Sequence, residues 1–189
     1  MGFVIINNKP FLYSIFFLIY KKAGKVMSKK TPKVLIVIRS SSDMPIVEIA
    51  MNILKDFGVK AKEMVCSAHR TPELAAETSK NAEKDGFDLI IAAAGKAAHL
   101  PGVLAAFTTL PVIGLPIKSS FMDGLDSLLS IVQMPSGVPV ATVGVNASEN
   151  AAVLAVQIMA LKHDGLKQKL IEYKKAMADK VIKSNESIQ

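Results

Sequence analysis

The feature that most constrains the fold of this chain is a regular alternation, from Lys33 onward, of short apolar segments with longer amphipathic ones. Short apolar runs bounded by turn residues are typical of buried strands, and apolar residues at helical spacing are typical of helices that pack on one face. Strands that alternate with helices in this way are typical of a parallel sheet with helical crossover connections.

Five strands and six helices are expected from this alternation. The strands are predicted at residues 34–38, 60–65, 89–93, 111–115 and 138–143. The helices are predicted at residues 45–57 and 72–86, from about residue 99, and at residues 123–132, 148–161 and 166–182. The helix at 148–161 is apolar on most sides, which predicts that it is buried, whereas the helix at 166–182 is charged and amphipathic.

The predicted fold class is therefore α/β, a three-layer doubly wound parallel sheet of the flavodoxin or Rossmann type with a C-terminal helical extension. We expect three segments along the chain. Residues 1–30 form an N-terminal extension outside the fold, residues 31–162 an α/β catalytic domain, and residues 163–189 a C-terminal helix and tail.

The N-terminal extension contains an apolar run at residues 11–20 that is closed by Lys21 and Lys22. The run is shorter than the roughly 20 apolar residues that a membrane-spanning helix needs. It also lacks the basic start and the small-residue cleavage site of a secretory signal. Because Met27 lies directly before the first predicted strand, we expect translation to begin there; a targeting or anchoring segment is the alternative.

Charge and cysteine content exclude several classes of function. The net charge is +7, but residues 1–30 contain six lysines and no acidic residue, so the rest of the chain is nearly neutral. No basic stripe alternates with aromatic residues, so we expect neither nucleic acid nor, for the core, a membrane as partner. The single cysteine, Cys66, and the absence of metal-ligand spacing predict a reducing compartment and no structural metal.

Polar side chains follow the first three predicted strands, at the point where each strand ends. These clusters are Arg39 to Asp43, Ser67 to Arg70, and Gly95 to His99. In a doubly wound sheet, ligands bind in the crevice outside the carboxyl ends of the strands. We therefore expect the three clusters to meet in one ligand-binding site.

The residue types in these clusters suit an anionic ligand. The serines at positions 40–42 precede a helix, whose N-terminus attracts phosphate through free amides and a positive dipole. Asp43 would accept hydrogen bonds from ribose hydroxyls, and the alternative for Ser42 and Asp43 is ordinary helix capping. Arg70 suits phosphate recognition, and the alternative there is a surface ion pair.

The histidines are candidates for proton transfer, because imidazole titrates near neutral pH. His69 alone is more often structural, but His99 at the adjacent strand end favours a functional role for both. His163 lies beyond the core helices and is expected to be solvated. Cys66, at the end of a buried strand, is expected to be a core thiol. Lys96 is either a contact for a carboxylate or a solvated loop lysine.

Four segments resemble, in order and spacing, the signatures of the N5-carboxyaminoimidazole ribonucleotide mutase family. They are SSSD at 40–43, SAHRTP at 67–72, AGKAAHLPG at 94–102 and DSLLSIVQMP at 126–135. The resemblance covers about residues 33–161. It implies a three-layer α/β fold assembled as a homo-octamer, with the C-terminal helix on a neighbouring subunit.

The resemblance further implies a cytoplasmic enzyme of de novo purine biosynthesis that acts on a small ribonucleotide. The reaction moves a carboxylate from the exocyclic nitrogen of an aminoimidazole ribonucleotide to a ring carbon, without metal, ATP, biotin or other cofactor. Released CO2 must stay beside the ring until it recombines, so a closed pocket around residues 95–102 is expected.

The resemblance also implies residue roles. His69 would protonate the departing carbamate nitrogen and later remove the ring proton, and His99 would border the carboxylate with Ser42. Ser40 and Arg70 would hold the phosphate. Asp43 would hold the ribose, and the other implied substrate contacts are Ser67, Ala68, Gly95, Lys96 and Leu100.

The sequence departs from the family pattern at three positions, where Arg39, Ala93 and Lys96 replace glycine. If the turn after the first strand needs a positive φ, Arg39 is strained there. Because glycine at this position permits close approach of a phosphate, we expect the Arg39 side chain to obstruct the phosphate site; the alternative is that its guanidinium tightens phosphate binding. A related class that uses free CO2 tends to have lysine in place of Arg70 and lacks the second histidine. The presence of Arg70 and His99 therefore favours the mutase, although a basic residue at the position of Lys96 is reminiscent of the CO2-using class. The remaining alternatives are an inactive relative and an FMN-binding module.

Overall fold

The protein is described here by a computed structural model over residues 31–186. The strands are β1 (Lys33–Ile38), β2 (Lys60–Val65), β3 (Leu89–Gly95), β4 (Val112–Ile117) and β5 (Ala141–Thr142). The helices are α1 (Met44–Asp56), α2 (Pro72–Asn81), α3 (Leu100–Ala105), α4 (Leu125–Val132), α5 (Ser148–Met159) and α6 (Asp164–Glu186). The predictions for the N-terminal extension, including the start at Met27, lie outside the described residues.

All strand pairs in the sheet are parallel, and the strand order is β2-β1-β3-β4-β5. This is the flavodoxin-like order of a doubly wound sheet, in which the winding direction reverses between β1 and β3. The predicted fold class is therefore confirmed. The reversal opens a crevice at the carboxyl ends of β1 and β3, where the polar clusters of the sequence lie.

Helices cover both faces of the sheet. Alternate residues of a strand point to opposite faces, and in β1 the side chains of Val34, Ile36 and Ile38 join a core with α1, α5 and the start of α6. The side chains of Leu35 and Val37 face the other core, formed with α2, α3 and α4. Because both faces are buried, β1, β3 and β4 are continuous apolar runs in the sequence.

Several predicted elements are shorter in the structure. The last strand was expected at residues 138–143, but β5 contains only Ala141 and Thr142, because Pro139 has no N–H to donate to the ladder. The helix α2 ends at Asn81 rather than near Gly86 and is followed by turns. The helix α4 begins at Leu125, since Asp123 before it has a φ of +55°.

The prediction of a solvated His163 is wrong. Its side chain is 15% exposed, and its Nε2 atom lies 3.8 Å from Oδ1 of Asp88. The carboxylate of Asp88 also accepts a hydrogen bond from the backbone N–H of Lys33 at 2.9 Å. The turn between α5 and α6 therefore packs against the amino edge of the sheet, opposite the crevice.

The helix α5 is buried along most of its length, as predicted, because it packs between α1 and α6. The first turns of α6 are fixed to the core: Lys169 donates to the carbonyl of Phe57 at 2.8 Å, and Tyr173 donates to Glu149 at 2.8 Å. From residue 174 to residue 186 the helix is exposed on every side. No helix within residues 31–186 is long and apolar enough to cross a membrane.

Candidate active site

The three polar clusters meet at the carboxyl edge of the sheet. The backbone N–H of Arg39 donates to the carbonyl of Ala93 at 3.2 Å, and the N–H of Cys66 donates to the carbonyl of Ile38 at 2.9 Å. These two bonds continue the strand ladders past the ends of β1 and β2. The loops that follow β1, β2 and β3 are thereby held side by side, as the sequence predicted.

Two of these loops make contact through a pair of histidines. Nε2 of His69 lies 2.9 Å from Nδ1 of His99, and the rings are perpendicular with centroids 5.0 Å apart. Such a bond requires that one ring nitrogen carries the proton and that the other is free to accept it. Both side chains are exposed to solvent. The pair therefore holds a transferable proton at the mouth of the crevice, which is the chemistry that general acid–base catalysis needs.

His69 is positioned by a tight turn that Thr71 closes. The Thr71 hydroxyl accepts from the N–H of Ser67 at 3.0 Å and donates to the carbonyl of Ser67 at 3.1 Å. The Ser67 hydroxyl accepts from the N–H of Arg70 at 3.3 Å. Thr71 stands at the N-cap position of α2, but its hydroxyl bonds back to Ser67 and does not cap the helix.

The role of Thr71 in this turn was missed at the level of sequence, where threonine before proline indicates a helix start. Ser67 is 8% exposed and its hydroxyl is engaged inside the turn. Ala68 and His69 follow on the open side of the same turn, Ala68 half-buried and His69 exposed.

The serine loop after β1 contains an unpaired buried carboxylate oxygen. Ser40, not Ser42 or Asp43, caps the short 3-10 turn Ser41–Asp43, because its hydroxyl accepts from the N–H of Ser42 at 3.3 Å. The Ser42 hydroxyl lies 2.9 Å from that of Ser40 and 3.3 Å from Oδ1 of Asp43. Asp43 is 5% exposed and its Oδ2 has no hydrogen-bond partner within the described chain.

Capping by Ser42 or Asp43, the alternative considered above, is thus not what the structure contains. Buried polar atoms are nearly always hydrogen-bonded, so each exception calls for an explanation. The Oδ2 atom of Asp43 is a buried hydrogen-bond acceptor in the loop that follows β1. It suits a ligand that brings a hydroxyl group.

The two arginines also meet here, and neither has an ionic partner among residues 31–186. Nη2 of Arg70 lies 3.5 Å from the carbonyl oxygen of Arg39. Within residues 31–186, no carboxylate lies within 4.0 Å of either guanidinium group. The surface ion pair considered for Arg70 is therefore absent from the described chain.

The expected backbone strain lies at a different position from the one predicted. Arg39 does not have a positive φ, so the condition for strain at this residue is not met; its N–H continues the ladder from β1 to β3. Lys96 instead has a φ of +59°, the left-handed conformation that favours glycine. Ala93, the third departure from the family pattern, is fully buried in β3 and unstrained.

The loop after β3 combines a close backbone approach with an exposed rim. A Cβ atom on Gly95 would lie 3.1 Å from the carbonyl oxygen of Ile117, which explains glycine there. Lys96 and His99 are exposed, whereas Leu100 is 2% exposed and packs in the core. The predicted closed pocket is therefore not formed by the described part of a single chain, because the histidine pair faces solvent.

The signature segment at residues 126–135 fixes the end of β4. Sequence reasoning did not assign this role to its residues. The Ser127 hydroxyl is fully buried and lies 2.9 Å from the carbonyl of Ile117 and 2.7 Å from that of Gly124. Ser119 bonds to the carboxylate of Asp126 at 2.9 Å. In the sequence, the polar residues Asp126 and Ser127 on an otherwise apolar helix could have indicated both contacts.

Cys66 is buried, as predicted for a core thiol. Desolvation raises the pKa of this thiol, and a hydrogen bond with Thr71 lowers it by less. The reactive thiolate is disfavoured, so Cys66 is not suited to nucleophilic attack. Among the described residues, no group of three or more His, Cys, Asp or Glu side chains is arranged to hold a metal ion.

Comparisons with known proteins identify relatives that cover most of the chain. The profile of the family described as AIR carboxylase matches residues 33–180. An N5-carboxyaminoimidazole ribonucleotide mutase from Pyrococcus horikoshii is 54% identical over 155 residues, which cover 82% of this chain and 88% of that protein. The mutase from Methanocaldococcus jannaschii is 54% identical over 154 residues, covering 82% of this chain and 96% of that protein.

A solved structure is similar over the same part of the chain. The crystal structure of Treponema denticola PurE matches with a TM-score of 0.76 and 32% identity, covering 84% of this chain and 99% of that one. Sequence and three-dimensional similarity therefore coincide over the doubly wound sheet and its strand-end loops. This chain belongs to the AIR carboxylase family.

Proposed function

We propose that this chain is an enzyme of purine biosynthesis that converts N5-carboxyaminoimidazole ribonucleotide to 4-carboxy-5-aminoimidazole ribonucleotide. The observation that carries the proposal is the histidine pair, with Nε2 of His69 2.9 Å from Nδ1 of His99 at the carboxyl edge of the sheet. Relatives named as this mutase, at 54% identity, support it.

The reaction needs one proton donor that later acts as a proton acceptor. When the carbamate C–N bond breaks, CO2 leaves and the exocyclic nitrogen takes a proton from His69. The ring carbon then attacks CO2, and His69 removes the proton from that carbon, so the imidazole returns to its starting state. Substrate and product are isomers, so the reaction consumes no second reactant. His99 orients His69 through their hydrogen bond and borders the moving carboxylate.

The loops around the histidine pair offer complementary contacts for the rest of the ribonucleotide. Ser40 and Arg70 bind the phosphate, and the unpaired Oδ2 of Asp43 accepts from a ribose hydroxyl. Ser42 and Lys96 approach the carboxylate. The buried members of the predicted set act differently: Ser67 and Leu100 shape the site from within the protein, and Ala68 and Gly95 bring their backbone close to the substrate.

We further propose that the active form is a cytoplasmic homo-octamer in which neighbouring subunits close the site. Trapping CO2 requires that water be excluded, yet His69 and His99 are exposed in one chain. Large apolar side chains are exposed beyond the end of β4: Phe121, Met122, Leu125, Leu129 and Val132. Several large apolar side chains exposed in one segment are typical of a subunit interface. The exposed second half of α6 offers a further contact. Light scattering coupled to size-exclusion chromatography tests the assembly.

One experiment tests the activity directly. The purified chain is incubated with the carbamate substrate in bicarbonate-free buffer, and the carboxylated product is followed by ultraviolet absorbance. We expect product to form without bicarbonate. The alternative function, a carboxylase that uses free CO2, is favoured by the basic side chain of Lys96 and by the description of the matching family as AIR carboxylase. Product that forms solely from the uncarboxylated ribonucleotide with added bicarbonate would replace the mutase by that alternative.

A further inference from the structure

The only two arginines of the chain meet at the carboxyl edge of the sheet. Arg39 follows β1 and Arg70 lies in the turn after β2, and Nη2 of Arg70 is 3.5 Å from the carbonyl oxygen of Arg39. The backbone N–H of Arg39 is bonded to Ala93 of β3 at 3.2 Å. Arg39 is therefore fixed at the end of β1, beside the serine loop, and the guanidinium group of Arg70 lies next to it.

Arg39 has an unsatisfied donor. Its Nε atom is buried and has no hydrogen-bond partner within residues 31–186, and its guanidinium has no carboxylate within 4.0 Å there. Burying a polar donor without a partner is unfavourable, so such atoms are rare in folded proteins. A ligand that brings anionic oxygens to this edge would satisfy the donor.

The local charge balance points to the same ligand. Asp43 lies in the loop after Arg39 and is buried, so its carboxylate repels an incoming phosphate. Arg70 alone would only neutralise Asp43. A second guanidinium gives the site a net positive charge, which a phosphate of about −1.5 to −2 at neutral pH requires. Guanidinium groups also match phosphate oxygens with two parallel hydrogen bonds.

We propose that Arg39 and Arg70 form one phosphate-binding pair, in which Arg39 adds a contact to the 5′-phosphate of the ribonucleotide. This inference rests on the proposed function, because it concerns the phosphate of that substrate. It replaces the expectation that Arg39 obstructs the site. That expectation rested on close backbone approach at the family's glycine; the separate condition for strain, a positive φ at Arg39, is not met.

The test compares three variants with the full-length protein. Arg39→Met removes the charge and keeps an apolar chain, Arg39→Lys keeps the charge without the fork of donors, and Arg39→Gly restores the residue of the family pattern. Binding of ribose 5-phosphate and of ribose is measured by calorimetry, and turnover of the carbamate substrate by steady-state kinetics. A melting curve shows that each variant is folded.

We expect Arg39→Met to weaken ribose 5-phosphate binding and to raise KM by about 10-fold or more, as for the loss of one charge-assisted hydrogen bond. The kcat should change much less than KM, because a phosphate contact is made equally in the ground and transition states. Arg39→Lys should retain part of the affinity, and ribose binding should not change.

Wild-type affinity for ribose 5-phosphate in Arg39→Met would overturn the phosphate pair while leaving the proposed function intact. An increase of affinity in Arg39→Gly would also overturn it, in favour of obstruction. A third outcome is that the wild-type protein does not turn over the carbamate but its binding of ribose 5-phosphate still depends on Arg39. In that case the proposed function fails and the phosphate pair stands.

Discussion

Replacing Lys96 by glycine should stabilise the protein, because this residue holds a backbone conformation that glycine adopts without strain. Lys96 has a φ of +59°, and its side chain is exposed and makes no hydrogen bond or ion pair within residues 31–186. A left-handed conformation costs a residue with a Cβ about 1–2 kcal/mol. The greater freedom of glycine in the unfolded chain offsets about 0.4–1 kcal/mol of this gain.

The net change expected for Lys96→Gly is therefore an increase of about 1 kcal/mol in the free energy of unfolding. For a chain of this size, that corresponds to a rise of about 2–4 °C in Tm. Urea unfolding followed by far-ultraviolet circular dichroism measures the change. Protein concentration must be kept constant, because assembly of subunits adds to apparent stability.

Lys96→Ala is the matched control. It removes the same charge and the same side chain but keeps a Cβ, so the strain remains and the free energy of unfolding should change by less than about 0.5 kcal/mol. If Lys96 contacts the substrate carboxylate, both variants should raise KM alike, whereas only glycine should add stability. Equal stability of the two variants would refute the assignment of strain to this residue.

Three further predictions follow from the site and the core. His69→Asn should lower kcat by at least about 10²-fold, as for loss of a general acid–base group, with an unchanged melting curve. Near wild-type turnover would remove His69 from the mechanism. His163→Asn, at the opposite edge of the sheet, is the control. Burial raises the pKa of Cys66 above its usual 9.0. The protonated thiol therefore contributes a constant amount to stability below pH 9.0, and this contribution is lost as the pH rises through the raised pKa. Iodoacetamide should accordingly label the native protein much more slowly than the urea-unfolded protein, and rapid native labelling would contradict this. Gly114→Ala would bring a Cβ within 2.4 Å of an isoleucine methyl of α4 and should lower the free energy of unfolding by about 1–3 kcal/mol. Gly165→Ala, where nothing lies within 4 Å of the new Cβ, should have no such effect, and similar losses in both variants would argue against overpacking.

The fold class, and the meeting of the three strand-end clusters at one edge of the sheet, could be predicted from the sequence. Burial on both faces makes parallel strands continuous apolar runs, so β1, β3 and β4 are visible as runs, and β2 was predicted with its observed bounds. Parallel strands all end at the same edge, so side chains that follow three strands must converge there. His69, His99 and Arg70 were placed at one site by this reasoning alone.

The resemblance to a family added roles, but it did not indicate where strain would lie. Glycine is replaced at both Arg39 and Lys96, and sequence comparison alone cannot tell whether a glycine served a positive φ or a close approach. The backbone shows a positive φ at Lys96 and an extended ladder at Arg39. The presence of Lys96 in place of glycine therefore affects stability, whereas the presence of Arg39 in place of glycine affects the charge of the site.

What the sequence by itself determined is local: the periodicity of strands and helices, and the residue types at each strand end. The tertiary structure alone decided which polar atoms became partners, such as Nε2 of His69 with Nδ1 of His99, and which have no partner in the described part of the chain, such as Nε of Arg39. It also buried His163 beside Asp88. The physical reason is that apolar periodicity depends on neighbours a few residues apart, whereas hydrogen-bond partners and burial depend on distant segments that the crossover connections bring together.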